Sequence, residues 1–283
     1  MADFIHDGVS ISYDVSGEGP PVLLLHGFPQ TRVMWDRIGR MLERYFTVVR
    51  ADLRGYGASS KPDPAGDPAT YSFRAMGGDM LALMTSLGFE RFHLVGHDRG
   101  GRVAHRMSLD APERLLSLTV MDIVPTLTLL DNWTVDVSTS YFHWSFLAQP
   151  APLAERMIEA DPDHFYEACL LGWGGASLED FEGIEAYRAA WRDPATIAAT
   201  TADYRAVLEV DRSQDAEDRG RKFAGPALVL FGADGAMARL FDVAETWAPW
   251  LDHMIAKAIP GGHFFPDQSP DETAAALLTF LRG

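Results

Sequence analysis

The chain has 283 residues, 47% of them apolar, enough for one large α/β unit with an insertion and a sizeable core. Its formal charge of -16 at pH 7 opposes binding to a polyanion such as nucleic acid, and no basic block or zinc-type spacing offsets that field. The single cysteine, Cys169, excludes an intramolecular disulfide and reads as a small buried apolar residue. The opening residues, Met1-Ala2-Asp3-Phe4-Ile5-His6, lack the basic-then-apolar grammar of a signal peptide. No run approaches the roughly 18 apolar residues of a membrane span, so the expectation is a soluble, cytoplasmic protein.

In chain order, Val9 to Val15 alternates apolar and polar residues and reads as an exposed edge strand, closed by Gly17-Glu18-Gly19-Pro20-Pro21. Val22-Leu23-Leu24-Leu25 is a strand apolar on both faces, running into His26-Gly27-Phe28-Pro29-Gln30. Thr31 to Glu43 reads as a helix and Phe46 to Val49 as the next strand. That strand leads to the glycine-rich loop Asp52-Leu53-Arg54-Gly55-Tyr56-Gly57. Tyr71 to Leu87 places Phe73, Met76, Met80, Leu83 and Leu87 on one helical face. Phe92 to Val95 is a strand, a helix follows to about Asp110, and Leu115 to Met121 is a further strand ending at Asp122.

The grammar changes at Ile123. From there to Lys222 the sequence is helix-like and aromatic, with Trp133, Trp144, Trp173 and Trp191 and no strand pattern. The strand–helix rhythm returns at Pro226 to Phe231, then a helix, a short strand around His253-Met254-Ile255, the loop Gly261-Gly262-His263, and a final helix from Pro270 to Leu281. The expectation is a doubly wound, mostly parallel sheet formed by residues 1–124 and 223–283, with a helical cap over 125–222. Ligands of such sheets bind beyond the carboxyl ends of the strands, where His26, Asp98, Asp122, Asp234 and His263 are all expected.

The chemistry centres on Val95-Gly96-His97-Asp98-Arg99-Gly100-Gly101. An apolar strand stops at a glycine, one acid follows, and a helix begins. This is the strand–sharp turn–helix pattern of a nucleophile elbow with Asp98 in place of serine. A carboxylate there attacks carbon and forms an alkyl ester. Hydrolysing that ester needs a base, and His263 is the candidate among nine histidines because it comes last, in the order nucleophile–acid–histidine. Asp122 and Asp234 both follow core strands and compete to orient it. The backbone N–H groups of Phe28 and Arg99 are expected to form the oxyanion hole, with His26 structural. Arg99 and Arg102 lie one helical turn apart and suit a substrate carboxylate held by bidentate pairs. Pairing with Asp110 or Glu113 is the plainer alternative, and Arg106 reads as a surface residue. A small anion reaching so acidic a chain needs positive charge supplied by the site itself.

The stretch Gly96-His97-Asp98-Arg99-Gly100-Gly101-Arg102, with Arg106 and Asp110 beyond it, resembles the fluoroacetate (haloacetate) dehalogenase family of α/β-hydrolases, as does the pair His143-Trp144. The likeness spans nearly the whole chain. His26 to Gln30 and Asp52 to Gly57 are shared with the wider epoxide hydrolase–dehalogenase group. The resemblance implies Asp122 as the acid, a halide pocket of His143, Trp144 and Tyr204, a homodimer, and no metal or organic cofactor. Imidazole, indole and phenol groups suit a departing fluoride, a strong hydrogen-bond acceptor. The rival enzyme is an epoxide hydrolase with the same Asp-His-Asp machinery, which Arg99 disfavours because an aromatic residue is usual there. A non-catalytic receptor on the same fold is a further alternative, and the complete set of nucleophile, base and acid counts against it.

Overall fold

The computed structural model describes residues 2–283. Its strands are β1 (Ala2–His6), β2 (Val9–Ser16), β3 (Pro21–Leu25), β4 (Thr47–Ala51), β5 (Phe92–His97), β6 (Leu115–Met121), β7 (Phe223–Gly232) and β8 (Leu251–Ile259). They form one sheet in the order β1-β2-β4-β3-β5-β6-β7-β8. The pairings β1–β2 and β2–β4 are antiparallel, and all others are parallel. Leu23, Leu24 and Leu25, Leu94 and Val95, and Leu118 and Val120 bury both faces of the central strands, as continuous apolar runs require.

Two strands differ from the sequence reading. The edge is β1 rather than β2, with Ala2 opposite Tyr13 and His6 opposite Val9. Strand β1 is mostly exposed and shows no clean alternation. Its signal is the turn Asp7-Gly8, whose φ values of 48° and 80° suit a two-residue hairpin. At the other edge, β8 is nine residues long, but only Leu251 and Ile259 are buried. Its solvated middle carries too little periodicity to show that length. The helix read over 31–43 divides into a tight turn, Arg32–Trp35, and a helix, Asp36–Leu42. Asp52 holds that start by accepting the Arg32 backbone N–H at 2.8 Å and pairing with its guanidinium. The final helix runs Pro270–Leu281, as read.

Between β6 and β7 the chain is helical from Thr126 to Glu217, with no strand among the described residues. This insertion bears on the carboxyl ends of the strands. The Trp173 carbonyl accepts the His263 N–H at 2.8 Å, and Asp203 pairs with Arg99. Beneath it, Phe28 follows β3, Asp98 follows β5, Asp122 follows β6 and His263 follows β8. The chain leaves β3 to one side for β4 and returns to its other side for β5, so Phe28 and Asp98 flank the topological switch point. No helix among the described residues is long and apolar enough to cross a membrane.

The turn after β5 works only because two neighbours lack a Cβ. A Cβ on Gly96 would lie 2.2 Å from the Gly100 carbonyl oxygen, and one on Gly27 would lie 2.4 Å from the Asp98 Cβ. Both clashes are with atoms that have no room to retreat. Gly96→Ala is therefore expected to cost about 1–3 kcal/mol of stability and to misplace Asp98. Urea unfolding checks the first effect, and an unchanged midpoint would show that the turn can relax.

Candidate active site

Asp98 sits at the end of β5 with φ 48° and ψ -116°, just before the helix Arg99–Asp110. Few non-glycine residues hold that conformation. It turns the carboxylate out of the strand and toward β3, where the Phe28 N–H donates to Asp98 Oδ1 at 2.9 Å. The second oxygen, Oδ2, faces His263 Nε2 at 3.9 Å. His263 Nδ1 lies 2.7 Å from Asp122 Oδ2. Asp122 is itself held by the Gly232 N–H, which donates to its Oδ1 at 2.8 Å, and it too has positive φ, 49°. Because Asp122 accepts at Nδ1, that nitrogen carries the ring proton and Nε2 is the basic end. Nε2 is buried with no hydrogen-bond partner among the described residues.

Burial pushes the Asp98 carboxyl up, but His263, His97, Arg99 and Arg102 outweigh it and hold it below its ordinary value. Burial pulls His263 down, while the bond and charge of Asp122 and the charge of Asp98 carry it above its ordinary value. His97, beside the nucleophile, is driven down to about 3 by burial and by His263. It therefore stays neutral and donates from Nε2 to the His263 carbonyl at 2.9 Å.

Arg99 and Arg102 stand side by side on the same helix, but their partners differ. Arg99 Nε donates to Asp203 Oδ2 at 2.9 Å, and Nη2 bonds both Asp203 Oδ1 and, at 3.2 Å, the Asp203 carbonyl. Its guanidinium carbon lies 4.3 Å from the Tyr204 ring centre and 4.7 Å from that of Phe73. Only Nη1 is left buried without a partner among the described residues. Arg102 donates through Nη1 to the Val124 carbonyl at 3.1 Å and Thr126 Oγ1 at 3.0 Å, and it lies 4.6 Å over Trp144. It makes no ion pair with a carboxylate within 4.0 Å among the described residues. Its Nε is buried and unpartnered. Burial pushes Arg102 down to about 10.

The aromatic residues complete the enclosure. His143 and Trp144, on the helix Phe142–Leu147, meet Tyr204 of the helix Pro194–Ala206 with ring-centre distances of 5.5 and 5.6 Å. His143 stacks on Phe28 at 5.9 Å. His143 Nδ1 and the Tyr204 hydroxyl are buried without partners among the described residues. Burial keeps His143 well below and Tyr204 well above their ordinary values, so both stay neutral. Asp98, Asp122, His263, Arg99, Arg102, His143, Trp144 and Tyr204 are thus buried together, whereas Asp234 stays outside the cluster.

Such a site offers a carboxylate at positive φ, a histidine whose Nε2 is unpartnered among the described residues, neutral donors and one cation without an acidic partner. Residues 20–270 match the α/β hydrolase fold family. Over 275 residues the chain is 53% identical to the fluoroacetate dehalogenase of a Burkholderia species, covering 96% of this chain and 90% of that protein. The chain belongs to the haloacetate dehalogenases of the α/β-hydrolase fold. It is 27% identical to the soluble epoxide hydrolase of Corynebacterium sp. strain C12, over 97% of this chain and 94% of that one. Among solved structures, ALR0039 of Nostoc sp. PCC 7120 matches with a TM-score of 0.97 at 40% identity, over 99% of this chain and 97% of that one.

In this member of the family several expectations change. Arg106 is not a surface residue: it is buried against Asp110 at 2.9 Å, Asp215 at 3.4 Å and Asp218, because the end of the helical insertion packs onto it. Asp110 serves Arg74 and Arg106, leaving neither active-site arginine to it. Asp234 is exposed, whereas Asp122 contacts His263. His26 is structural, accepting the Leu53 N–H at Nε2 at 3.1 Å. Bidentate holding by Arg99 is ruled out while Asp203 occupies two of its three nitrogens. Asp203, Trp173 and Tyr56 were not read from the sequence, since each is one among many acids or aromatics and only the fold brings it to the elbow.

The raised pKa of His263 has a definite sign. The proton it holds stabilises the folded state fully below about pH 6.5, its free value, and that contribution is lost as pH rises through the folded-state value. Asp122→Asn removes the charge but leaves the burial and a neutral hydrogen-bond acceptor. His263 should then titrate below its ordinary value, as read by NMR of labelled imidazole. A titration unchanged from wild type would refute the assignment of Asp122 as the group that holds the proton.

Proposed function

We propose that the protein hydrolyses haloacetates, fluoroacetate or chloroacetate, to glycolate and halide through an ester on Asp98. The observation that carries the reading is a pair of buried, unpartnered guanidinium nitrogens, Arg99 Nη1 and Arg102 Nε, beside a carboxylate on a strained elbow. The name of the Burkholderia relative supports it.

Arg102 and Arg99 hold the substrate carboxylate. Asp98 Oδ2 attacks the α-carbon in line, and the carbon–halogen electron pair leaves with the halide. His143, Trp144 and Tyr204 donate to that ion as it forms. Their neutrality suits the task, because a neutral donor stabilises the departing anion without surrendering a proton to it. Alkylation then removes the charge of Asp98, one of the influences that had raised His263. The histidine becomes the poorer proton holder a general base has to be. Nε2 takes a proton from water, and the hydroxide adds to the Asp98 carboxyl carbon. The resulting oxyanion develops on Oδ1, where the Phe28 N–H already points. Collapse expels the glycolate oxygen, which takes the proton from His263, and the Asp98 carboxyl then gives the remaining water proton to solvent, so the carboxylate is restored. Side chains and water complete every step.

Ion-selective measurement of halide release from the two haloacetates tests the activity. Asp98→Asn is expected to abolish release. His263→Asn should release about one halide per site and then stop, leaving an ester on Asp98 visible by mass spectrometry. No adduct with any haloacetate would sink the scheme. Turnover of an epoxide instead would favour the rival chemistry, for which Tyr204 and Tyr141 are the available cap phenols. From the family resemblance we also infer a homodimer, which a monomer mass by light scattering would remove, and from the single cysteine a reducing, cytoplasmic setting.

A further inference from the structure

Asp203 has no part in the scheme above, yet it is fully buried beside the elbow. It comes from the helical insertion, one residue before Tyr204, and reaches across to the helix that begins at Arg99. Oδ2 accepts from Arg99 Nε at 2.9 Å and from the Tyr56 hydroxyl at 2.7 Å. Oδ1 and the backbone carbonyl both take Arg99 Nη2. Rings of Phe73 and Tyr204 lie against the guanidinium. One edge and the flanking rings therefore fix the group, and a single nitrogen, Nη1, is left to meet a ligand.

We propose that Asp203 is a positioning residue that divides the labour of the two arginines. By neutralising Arg99 and fixing its plane, it makes Arg99 an orienting donor and leaves Arg102 as the cation that attracts the substrate carboxylate. The inference rests on the haloacetate reading for its substrate. Its physical basis is separate: a buried arginine paired to a carboxylate adds little net field, whereas one bonded only to a carbonyl and a hydroxyl adds its full charge. The division also ties the carboxylate end to the halide end, because Asp203 and Tyr204 are consecutive.

Removing the charge of Asp203 has opposite effects on binding and on chemistry. In Asp203→Asn the Arg99 charge is uncompensated and favours any anion in the site, but its plane is free. The kcat for chloroacetate is expected to fall about 10- to 100-fold, while the inhibition constant of acetate tightens about threefold. The acetate-induced rise in Tm should also exceed that of wild type, since the anion relieves an unpaired buried charge. Tyr56→Phe removes one hydrogen bond to Asp203 and keeps the ring. It should lower kcat about two- to fivefold with no loss of acetate affinity, and it serves if the asparagine variant does not fold. Unchanged kcat in the folded variants, or acetate affinity falling in step with kcat, would overturn the proposal and leave Asp203 a purely structural ion pair. If wild type releases no halide from any haloacetate, the dehalogenase reading fails. The acetate titrations then decide on Asp203 alone: tighter binding in Asp203→Asn supports the division of charge, and equal or weaker binding refutes it.

Discussion

The site depends on one backbone conformation, the positive φ of Asp98 at the end of β5. An L-residue there stores strain of order 1–3 kcal/mol, which persists only where the surroundings leave no alternative. Strand pairing with β6 holds the chain on one side, and the first turn of the following helix holds it on the other: Asp98 N–H donates to the Met121 carbonyl at 3.2 Å and Arg102 N–H to the Asp98 carbonyl at 3.1 Å. Glycines 27 and 96 remove the two Cβ atoms that would fill the space. Asp122 repeats the device at the end of the next strand, with its N–H donating to the Leu230 carbonyl at 2.8 Å. Both carboxylates are thus aimed by the sheet, so their separation from His263 follows from strand spacing.

Within that frame the reaction moves a charge and does not create one. Before attack the negative charge lies on Asp98, which His263, His97, Arg99 and Arg102 stabilise against its burial. After attack, in the proposed scheme, it lies on the halide, beside His143, Trp144 and Tyr204. The same arginines remain in place, with Arg102 stacked at 4.6 Å and Arg99 at 5.6 Å over Trp144. A charge displaced a few ångströms among groups already oriented requires little reorganisation, and this is the main source of electrostatic catalysis. Three neutral donors suffice at the receiving end because the cations are already nearby.

The elbow and its histidine were legible from local sequence, whereas the acid was not: Asp122 and Asp234 both follow core strands, and only the family resemblance favoured Asp122. A strand ending at Gly96, an acid on the tight turn and a histidine in a glycine-rich late loop are short-range signals. The helices Phe73–Ser86 and Pro270–Leu281 were legible through apolar periodicity. Strand β8 was legible only at its centre, around His253-Met254-Ile255, because the exposed residues on either side erase the periodicity that would mark its length, and β1 was signalled only by Asp7-Gly8. Arg106 was misread because a guanidinium counts as exposed until its acids are found, and Asp215 and Asp218 are more than a hundred residues away. The Arg99–Asp203 pair was hidden for the same reason. Local grammar names the reactive groups, and long-range pairing decides which of their charges face the substrate.

That last distinction explains how a chain of charge -16 can accommodate an anion. Exposed charges are screened over about 8 Å at physiological salt, so most of the acidic surface contributes little among groups this deeply buried. Buried charges are screened far less, and there the near partners govern. Asp122 is matched by His263 and Asp203 by Arg99. Asp98 faces His263, and near it Arg102 donates to an uncharged carbonyl and hydroxyl. In the proposed scheme a substrate carboxylate would meet a cation without an acidic partner within 4.0 Å among the described residues, one helical turn from Asp98. Placing Asp203 elsewhere would strengthen the attraction and loosen the alignment, whereas adding a second acid beside Arg102 would abolish the attraction. The fold resolves the conflict by giving one arginine a carboxylate partner and denying it to the other.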